Sequence, residues 1–170
     1  MVLRDFTVEI LLDFVFGYKS KKCILMSKVI EDSEFKQKFI DDRYILVKYR
    51  DCLFDIKWDI YVNCFNHCSL KSYKYFVNTK RFKDGHSYFL YDKEEKEYVG
   101  MFDLQKVLNT YCLTNFSIIS CKQSNGLGKM LMRYFFDVCK DNNISKVYLF
   151  VKSVNVPALS LYNKFGFIQI

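Results

Sequence analysis

The stretch Gln123-Ser124-Asn125-Gly126-Leu127-Gly128 carries more information about the fold than any other part of the sequence. It follows an apolar run typical of a strand and precedes a segment whose apolar residues recur at helical spacing: Leu127, Met130, Leu131, Tyr134 and Phe135. A glycine-containing loop that leads into a helix brings unpaired backbone N–H groups and the positive end of the helix dipole together. The stretch therefore predicts an anion site, suited to a phosphate, where the helix begins.

The loop differs from the other common phosphate-binding motifs. It lacks the Lys-Ser/Thr end of a Walker A motif and the third glycine of the dinucleotide fingerprint. No acidic residue follows at the end of the next strand, where a ribose ligand would be expected. The sequence therefore does not indicate a kinase, a GTPase or a dehydrogenase.

A second pattern lies downstream of this helix. The run Val147-Tyr148-Leu149-Phe150-Val151 predicts a strand, and residues 157–164 predict a short helix. Around this helix stand Asn155, Ala158, Leu161, Tyr162, Lys164, Gly166 and Phe167. Together the two patterns resemble the GNAT superfamily of N-acetyltransferases, in which Q/R-x-x-G-x-G/A forms a pyrophosphate loop and N-x-x-A-x-x-x-Y-x-K-x-G-F follows the next strand. Within the superfamily they are most similar to the protein N-terminal and ribosomal-protein acetyltransferases.

The resemblance covers Phe89 to Phe167 and implies an α/β (α+β) fold: a mixed, mostly antiparallel sheet, flanked by helices and splayed where the cofactor enters. It implies one domain over residues 1–170, with 86–170 as the acetyl-CoA-binding core and 1–42 as a poorly matched N-terminal extension. The chain ends soon after Gly166-Phe167, where the family continues into a last strand. We expect this strand to be missing, or to be supplied by a partner subunit, a second copy in a homo-oligomer or the N-terminal segment.

The remaining pattern predicts the elements before the loop. Helices are expected over 7–16 and 33–40, and strands over 23–30, 44–49, 86–91, 98–104 and 113–119, with 86–104 forming a hairpin. Over residues 53–65, the alternation of Phe54, Ile56, Trp58, Ile60 and Val62 indicates a strand, whereas the resemblance implies a helix. Both alternatives stay open at this segment.

The resemblance also implies roles for individual residues. Tyr162 matches the acid that protonates the departing thiolate, and Asn155 matches a polar residue on the cofactor side. The backbone of Ser117, Ile118 and Ile119 would pair with the pantetheine arm of acetyl-CoA. The pyrophosphate would bind to the backbone amides of the loop: Gln123, Ser124, Asn125, Gly126, Leu127, Gly128 and Lys129. The side chains of Lys122 and Lys129 would add positive charge.

The activity implied is transfer of an acetyl group from acetyl-CoA, as co-substrate, to a primary amine such as a protein N-terminus or a lysine. The glutamate base that many members carry is missing, because no Asp or Glu occurs from Leu104 through Phe136 and the matching position is near Leu113. Asp103, Tyr111 or a bound water could serve as the base instead. A catalytically inactive copy with a structural or interaction role would show the same departure and is the main alternative.

Composition bears on the other classes of function. The formal net charge of +7 comes from basic residues that are scattered along the chain, so a nucleic-acid-binding module is not favoured. Its stacking residues would be Trp58, Tyr61, Tyr73, Tyr75 and Phe76, which core packing explains more simply.

The cysteines and the hydropathy pattern indicate the compartment. Seven cysteines without regular spacing, and no apolar stretch long enough for a bilayer, favour reduced thiols in the cytoplasm, or alternatively the nucleus, and no membrane partner. Cys64, His67 and Cys68 lack a second pair at zinc-finger spacing, so no metal is expected. Cys121 could be a nucleophile beside the loop, but the resemblance favours direct transfer.

Overall fold

The structure, a computed structural model, describes residues 23–31, 38–65, 86–107 and 110–170. Its strands are β1 (Cys23–Val29), β2 (Tyr44–Lys48), β3 (Ser87–Asp92), β4 (Glu97–Val107), β5 (Thr110–Ile118), β6 (Lys146–Lys152) and β7 (Ile168–Gln169). Its helices are α1 (Phe54–Phe65), α2 (Leu127–Asp141) and α3 (Val156–Lys164). None of these helices is long and apolar enough to cross a lipid bilayer.

The strands form one sheet in the order β2-β3-β4-β5-β6-β1-β7. All neighbours are antiparallel except β5 and β6, which are parallel because the chain crosses over between them through α2. The expected mixed, mostly antiparallel sheet with flanking helices is confirmed. Two expected helices cannot be compared in full. The one over residues 7–16 lies outside the described residues, as does most of the one over 33–40, whose last residues, 38–40, are not helical.

The C-terminal edge of the sheet corrects the expectation that the last strand is missing. A short β7 is present, and β1 lies between it and β6, pairing with β6 from Cys23–Lys152 to Val29–Lys146. Strand β1, from the N-terminal segment, thus contributes to this edge. Completion of the edge by the N-terminal segment was one of the expected alternatives. The sequence could not indicate β7 because a two-residue strand has no measurable periodicity and is held by residues distant along the chain.

After a 3-10 turn at Asp51–Leu53, residues Phe54–Phe65 form helix α1, so the strand alternative for this segment is wrong. The face that packs on β3 and β4 follows helical spacing, since Ile56, Ile60 and Cys64 lie four residues apart. Ile60 contacts the cluster of Phe89 and Met101. The intervening Trp58 stacks on Tyr61 along the helix, with ring centroids 6.0 Å apart.

The two faces of the sheet are covered by different helices. Met101 and Phe102 are neighbours on β4, so their side chains point to opposite faces. Met101 packs with α1, whereas Phe102 meets Phe135 of α2 edge to face at 5.5 Å. Helix α3 joins α2 on that second face, because Tyr162 belongs to the same cluster of buried residues.

A charge network fixes the turn between β3 and β4. The Arg43 guanidinium donates to both carboxylate oxygens of the buried Asp92, with Nη2 to Oδ2 at 2.7 Å and Nε to Oδ1 at 3.0 Å. This pairing lowers the pKa of Asp92 to about 2. The backbone N–H groups of Glu94 and Glu95 also donate to Asp92 Oδ1, so the turn residues are held in place.

Candidate active site

Strands β5 and β6 separate part of the way along the sheet. Their parallel pairing ends at Leu113 and Leu149, although β5 continues to Ile118. Beyond this point one edge of β5 is not paired with β6. The expected splay of the sheet is therefore confirmed, and it lies between β5, which leads into the glycine loop, and β6, where the second sequence pattern begins.

A β-bulge in β5 marks the start of this gap. Thr114 pairs with Asp103 and Ser117 pairs with Met101, which leaves Asn115 and Phe116 opposite the single residue Phe102. Asn115 has a φ of +51°, in the left-handed region that asparagine tolerates better than most residues. The peptides of Asn115 and Phe116 are therefore outside the ladder that joins β4 and β5.

Among the three residues expected to pair with the pantetheine arm, the backbone of Ile118 alone faces the gap. Ile119 N–H donates to Val99 O at 2.9 Å, so Ile119 and, by alternation, Ser117 direct their backbone groups toward β4. The carbonyl of Ile119 also accepts from Lys122 N–H. The polar backbone groups of Ile118 point to the opposite side, where β6 has separated.

Gln123 closes the loop onto this edge. Its side-chain amide donates to the Ile118 carbonyl at 2.9 Å, and the Cys64 thiol lies 3.5 Å from the same oxygen. Gln123 is thereby connected to β5 through its side chain, while its backbone belongs to the loop. The hydrogen bond explains why a residue with an amide or guanidinium group suits this position.

The loop has the geometry expected of an anion site. Helix α2 begins after Gly126, which has a φ of +81° and makes no side-chain cap hydrogen bond, so the first N–H groups of the helix are not capped by a side chain. Among the residues that the structure describes, a Cβ atom at Gly128 would meet only Leu161 Cδ2, at an ordinary contact distance of 3.6 Å. Packing against these residues therefore does not require glycine at position 128, and none of them comes within 4 Å of a Cβ atom at Gly126.

The charges around the loop differ from the expectation at one residue. Lys122 Nζ is 2.8 Å from Glu97 and 3.2 Å from Glu95, and these carboxylates hold the pKa of Lys122 above its ordinary value. Its charge is thus compensated by the β3–β4 turn. Lys129 has no carboxylate partner among the described residues, so its charge is available to an anion.

A cavity of about 630 Å³ opens beside the start of α2. Three cationic side chains line it, from Lys129, Arg133 and Lys164, together with the rings of Phe39 and Phe165. The Arg133 guanidinium lies 5.4 Å from the centre of the Phe39 ring. Cations and aromatic rings next to an uncapped helix N-terminus provide what the phosphates and the base of a nucleotide require.

The remaining two predicted site residues are on α3. Tyr162 is buried, and its ring packs edge to face against Phe116 of the bulge at 6.1 Å and against Phe167 at 5.6 Å. Tyr162 therefore lies beside the gap. Asn155 is the N-cap of α3, where its side chain accepts from Ala158 N–H at 3.3 Å, so a structural role accounts for this residue.

The candidate bases lie in different surroundings. Asp103 is buried; Asn115 Nδ2 donates to its Oδ2 at 2.7 Å, and Lys57 Nζ lies 3.0 Å from its Oδ1 as an ion pair without hydrogen-bond geometry. Tyr111 lies on the paired part of β5, opposite Val147 and next to the Lys106 ammonium. Sequence reasoning missed Lys57 and Asn115, since an isolated lysine in a helix and an isolated asparagine in a strand carry no signal of their own.

The other sequence candidates do not form a site within the described residues. No group of three or more potential metal ligands occurs there, and His67 and Cys68 lie outside those residues. Cys121 is an exposed free thiol near the loop. Tyr73, Tyr75 and Phe76 also lie outside the described residues, so the proposed stacking set reduces to Trp58 and Tyr61.

Comparisons with solved structures agree with this geometry. The chain is similar to the ribosomal-protein-S18-alanine N-acetyltransferase from Escherichia coli (TM-score 0.62, 17% identity, covering 75% of this chain and 79% of that one). It is also similar to Arabidopsis thaliana Naa50, solved with the bisubstrate analogue CoA-Ac-MVNAL (TM-score 0.58, 20% identity, covering 73% of this chain and 82% of that one). At these identities the likeness concerns the fold.

A third structure, a GCN5-related N-acetyltransferase from Sphaerobacter thermophilus, covers 96% of this chain with a TM-score of 0.73 and 14% identity. This chain spans only 53% of the length of that protein. A search among curated proteins gives no significant match. The model of the acetyltransferase (GNAT) family matches residues 50–167, which include the bulge, the glycine loop and Tyr162. The chain therefore belongs to the acetyltransferase (GNAT) family.

Proposed function

We propose that this protein is an acetyl-CoA-dependent N-acetyltransferase whose acceptor is the free N-terminal amine of a protein or peptide. The observation that carries the proposal is the gap that starts at the β5 bulge and leads to the uncapped N-terminus of α2. An extended polar chain with a pyrophosphate at one end fits such a path, because an unpaired strand edge can hydrogen-bond the chain and a helix N-terminus can bind the pyrophosphate.

Particular residues would hold acetyl-CoA. The Ile118 N–H would pair with the pantetheine arm, because the Ile118 carbonyl already accepts from Gln123. The amides from Ser124 to Gly128 would bind the pyrophosphate, since the Gln123 and Lys129 amides donate to Ser120 O and Gly126 O. The cations of the adjoining cavity, Lys129, Arg133 and Lys164, suit the remaining phosphate of the nucleotide. Bound acetyl-CoA supplies the acetyl group as a thioester.

Acetyl transfer requires an acid that protonates the departing thiolate and a hydrogen-bond donor to the oxyanion. Tyr162 is our candidate acid for the departing thiolate, since its buried ring contacts Phe116 at the bulge. The bulge peptides, which are outside the β4–β5 ladder, are our candidate donors to the oxyanion that forms on the acetyl carbonyl. Asp103 is not assigned the role of base, because it is buried and its carboxylate is ion-paired with Lys57 and hydrogen-bonded to Asn115.

Two of the similar structures support a peptide acceptor. One is named for acetylating an alanine of a ribosomal protein, and the other was solved with an analogue that joins coenzyme A to a short peptide. An N-terminal amine is the acceptor class that they share. A lysine side chain is the second amine to test.

The proposal is tested by incubating the protein with acetyl-CoA and two sets of peptides. One set has free N-termini and no lysine; the other has blocked N-termini and an internal lysine. We expect release of free coenzyme A thiol and a gain of one acetyl group with the first set. If acetyl-CoA binds but no peptide of either set is acetylated, the proposed acceptor is wrong and an inactive GNAT-fold protein becomes the better account.

The two loop lysines are expected to differ in their effect on coenzyme A binding. Lys129→Ala should weaken binding by about tenfold, because a charge-assisted contact to phosphate contributes 1.4 kcal/mol or more. Lys122→Ala should change the affinity by less than about threefold, since Glu95 and Glu97 already compensate its charge. Calorimetric titration with coenzyme A checks both values. Equal losses in the two variants would contradict the assignment of charges around the loop.

A further inference from the structure

A cluster of buried polar side chains lies behind the β5 bulge. Lys57 Nζ is 3.0 Å from Asp103 Oδ1 and 2.6 Å from Ser87 Oγ, and Asn115 Nδ2 donates to Asp103 Oδ2 at 2.7 Å. The side chains of Lys57 and Asp103 are only 1% and 4% exposed. The cluster thus links α1, β3, β4 and β5 at one point.

A contribution to the free energy of unfolding explains such a cluster poorly. A buried ion pair must recover the cost of removing two charges from water, and replacing it by apolar residues of similar size is often neutral or stabilising. The sheet around it offers apolar neighbours, since Phe89 and Met101 lie two residues from Ser87 and Asp103 on the same face. A role in placing the third member, Asn115, explains the cluster better.

Asn115 determines the course of the bulge. It holds the left-handed backbone conformation, and Thr114 and Ser117 on either side are fixed by their pairing with β4. The orientation of the peptides of Asn115 and Phe116 therefore depends on the conformation of Asn115. The hydrogen bond to Asp103 holds the Asn115 side chain, and Lys57 holds the Asp103 carboxylate.

We propose that Lys57, Asp103 and Asn115 form a positioning clamp that orients the bulge peptides toward the acetyl carbonyl. This inference rests on the proposed function, because it needs an acetyl group in the gap. Oxyanion donors act only when they are held in place before the reaction, and small displacements are costly. Asp103 is then a positioning residue, not a catalytic base.

Two double variants isolate the hydrogen bond of the clamp. Lys57→Met with Asp103→Leu removes both charges together, so that no buried charge is left alone, and it leaves Asn115 without an acceptor. Lys57→Met with Asp103→Asn is equally uncharged but keeps an amide oxygen that can accept from Asn115 Nδ2. The two proteins therefore differ in the acceptor offered to Asn115 and not in charge.

The first measurement compares affinities for acetyl-CoA and coenzyme A, together with kcat. In the Leu double variant we expect the affinity for coenzyme A to stay within about threefold of wild type, because the loop is unchanged. The ratio of the affinities for acetyl-CoA and coenzyme A should fall by about tenfold or more, and so should kcat. Complete loss of an oxyanion donor lowers kcat by about a hundredfold to a thousandfold, and a misplaced donor should cost part of this. The Asn double variant should keep both near the wild-type values.

The second measurement needs no ligand. Amide hydrogen exchange in residues 114–118 should be faster in the Leu double variant than in the Asn double variant and the wild type. Equal exchange and an equal acetyl preference in the two double variants would overturn the clamp. A wild type that binds no coenzyme A would overturn the proposed function and with it the role of the clamp toward an acetyl group, and the exchange rates would then decide only whether the three residues order the bulge.

Discussion

Lys57→Met is expected to lower the free energy of unfolding by about 3 to 5 kcal/mol, the cost of leaving one charge of a buried pair alone. The Asp103 carboxylate would keep Asn115 as a partner but lose the ammonium 3.0 Å away. Few substitutions on the surface of a helix cost this much. Denaturant unfolding at neutral pH measures the change, and a loss below about 1 kcal/mol would contradict the burial of the pair.

The matched control is the double variant Lys57→Met, Asp103→Leu. Its free energy of unfolding should lie within about 1 kcal/mol of the wild-type value, because no charge is left buried.

The reverse single variant, Asp103→Leu, adds a pH test. Burial lowers the pKa of Lys57 below its ordinary 10.5, and loss of the carboxylate would lower it further. The destabilisation of Asp103→Leu should therefore be complete at a pH below the pKa of Lys57 in the folded protein. It should shrink as the pH rises toward 10.5, the ordinary pKa of lysine.

Tyr162→Phe is expected to lower kcat by about a hundredfold to ten-thousandfold, the usual contribution of a positioned general acid. The substitution removes one hydroxyl and keeps the ring that packs on Phe116 and Phe167, so the fold and the cofactor path should be unchanged. Acetyl-CoA affinity should accordingly stay near that of the wild type. Steady-state kinetics and calorimetry on the same preparation separate the two effects.

The outcome that would contradict this role is a Tyr162→Phe enzyme whose kcat stays within about threefold of the wild-type value. Tyr162 would then serve only to pack α3 onto the sheet. Tyr134→Phe is a suitable control, because its hydroxyl donates to Tyr44 O at 2.6 Å, away from the gap. This control should lose some stability and keep its kcat.

The second half of the fold could be predicted from the sequence because its signals are local. The helix after Gly126 and the strand and helix that follow are each specified by periodicity within their own residues. Residues 53–65 show the limit of this approach. Their apolar residues fit both a period of two and a helical face, and only packing on Phe89 and Met101 decides between them.

The parts of the site that the sequence did not indicate depend on contacts between distant residues. Lys57 meets Asp103 across 46 positions of the chain, and a lysine in an amphipathic helix is usually solvated. Lys122 stands beside the glycine loop in the sequence, but its charge is taken by the turn that holds Glu95 and Glu97. Charge that looks available along the chain can therefore be compensated in the fold.

Calorimetric titration of acetyl-CoA into the wild type and into Gly128→Glu tests the central claim most directly. The variant places a carboxylate in the first turn of α2, where a Cβ atom meets only Leu161 among the described residues, at an ordinary contact distance. Ser145→Glu, at an exposed residue beyond the far end of α2, controls for the added charge. We expect micromolar binding by the wild type and the control, and a loss of at least about a hundredfold in a folded Gly128→Glu protein. A folded wild type that does not bind acetyl-CoA, or a Gly128→Glu protein that binds it equally well, would contradict the account.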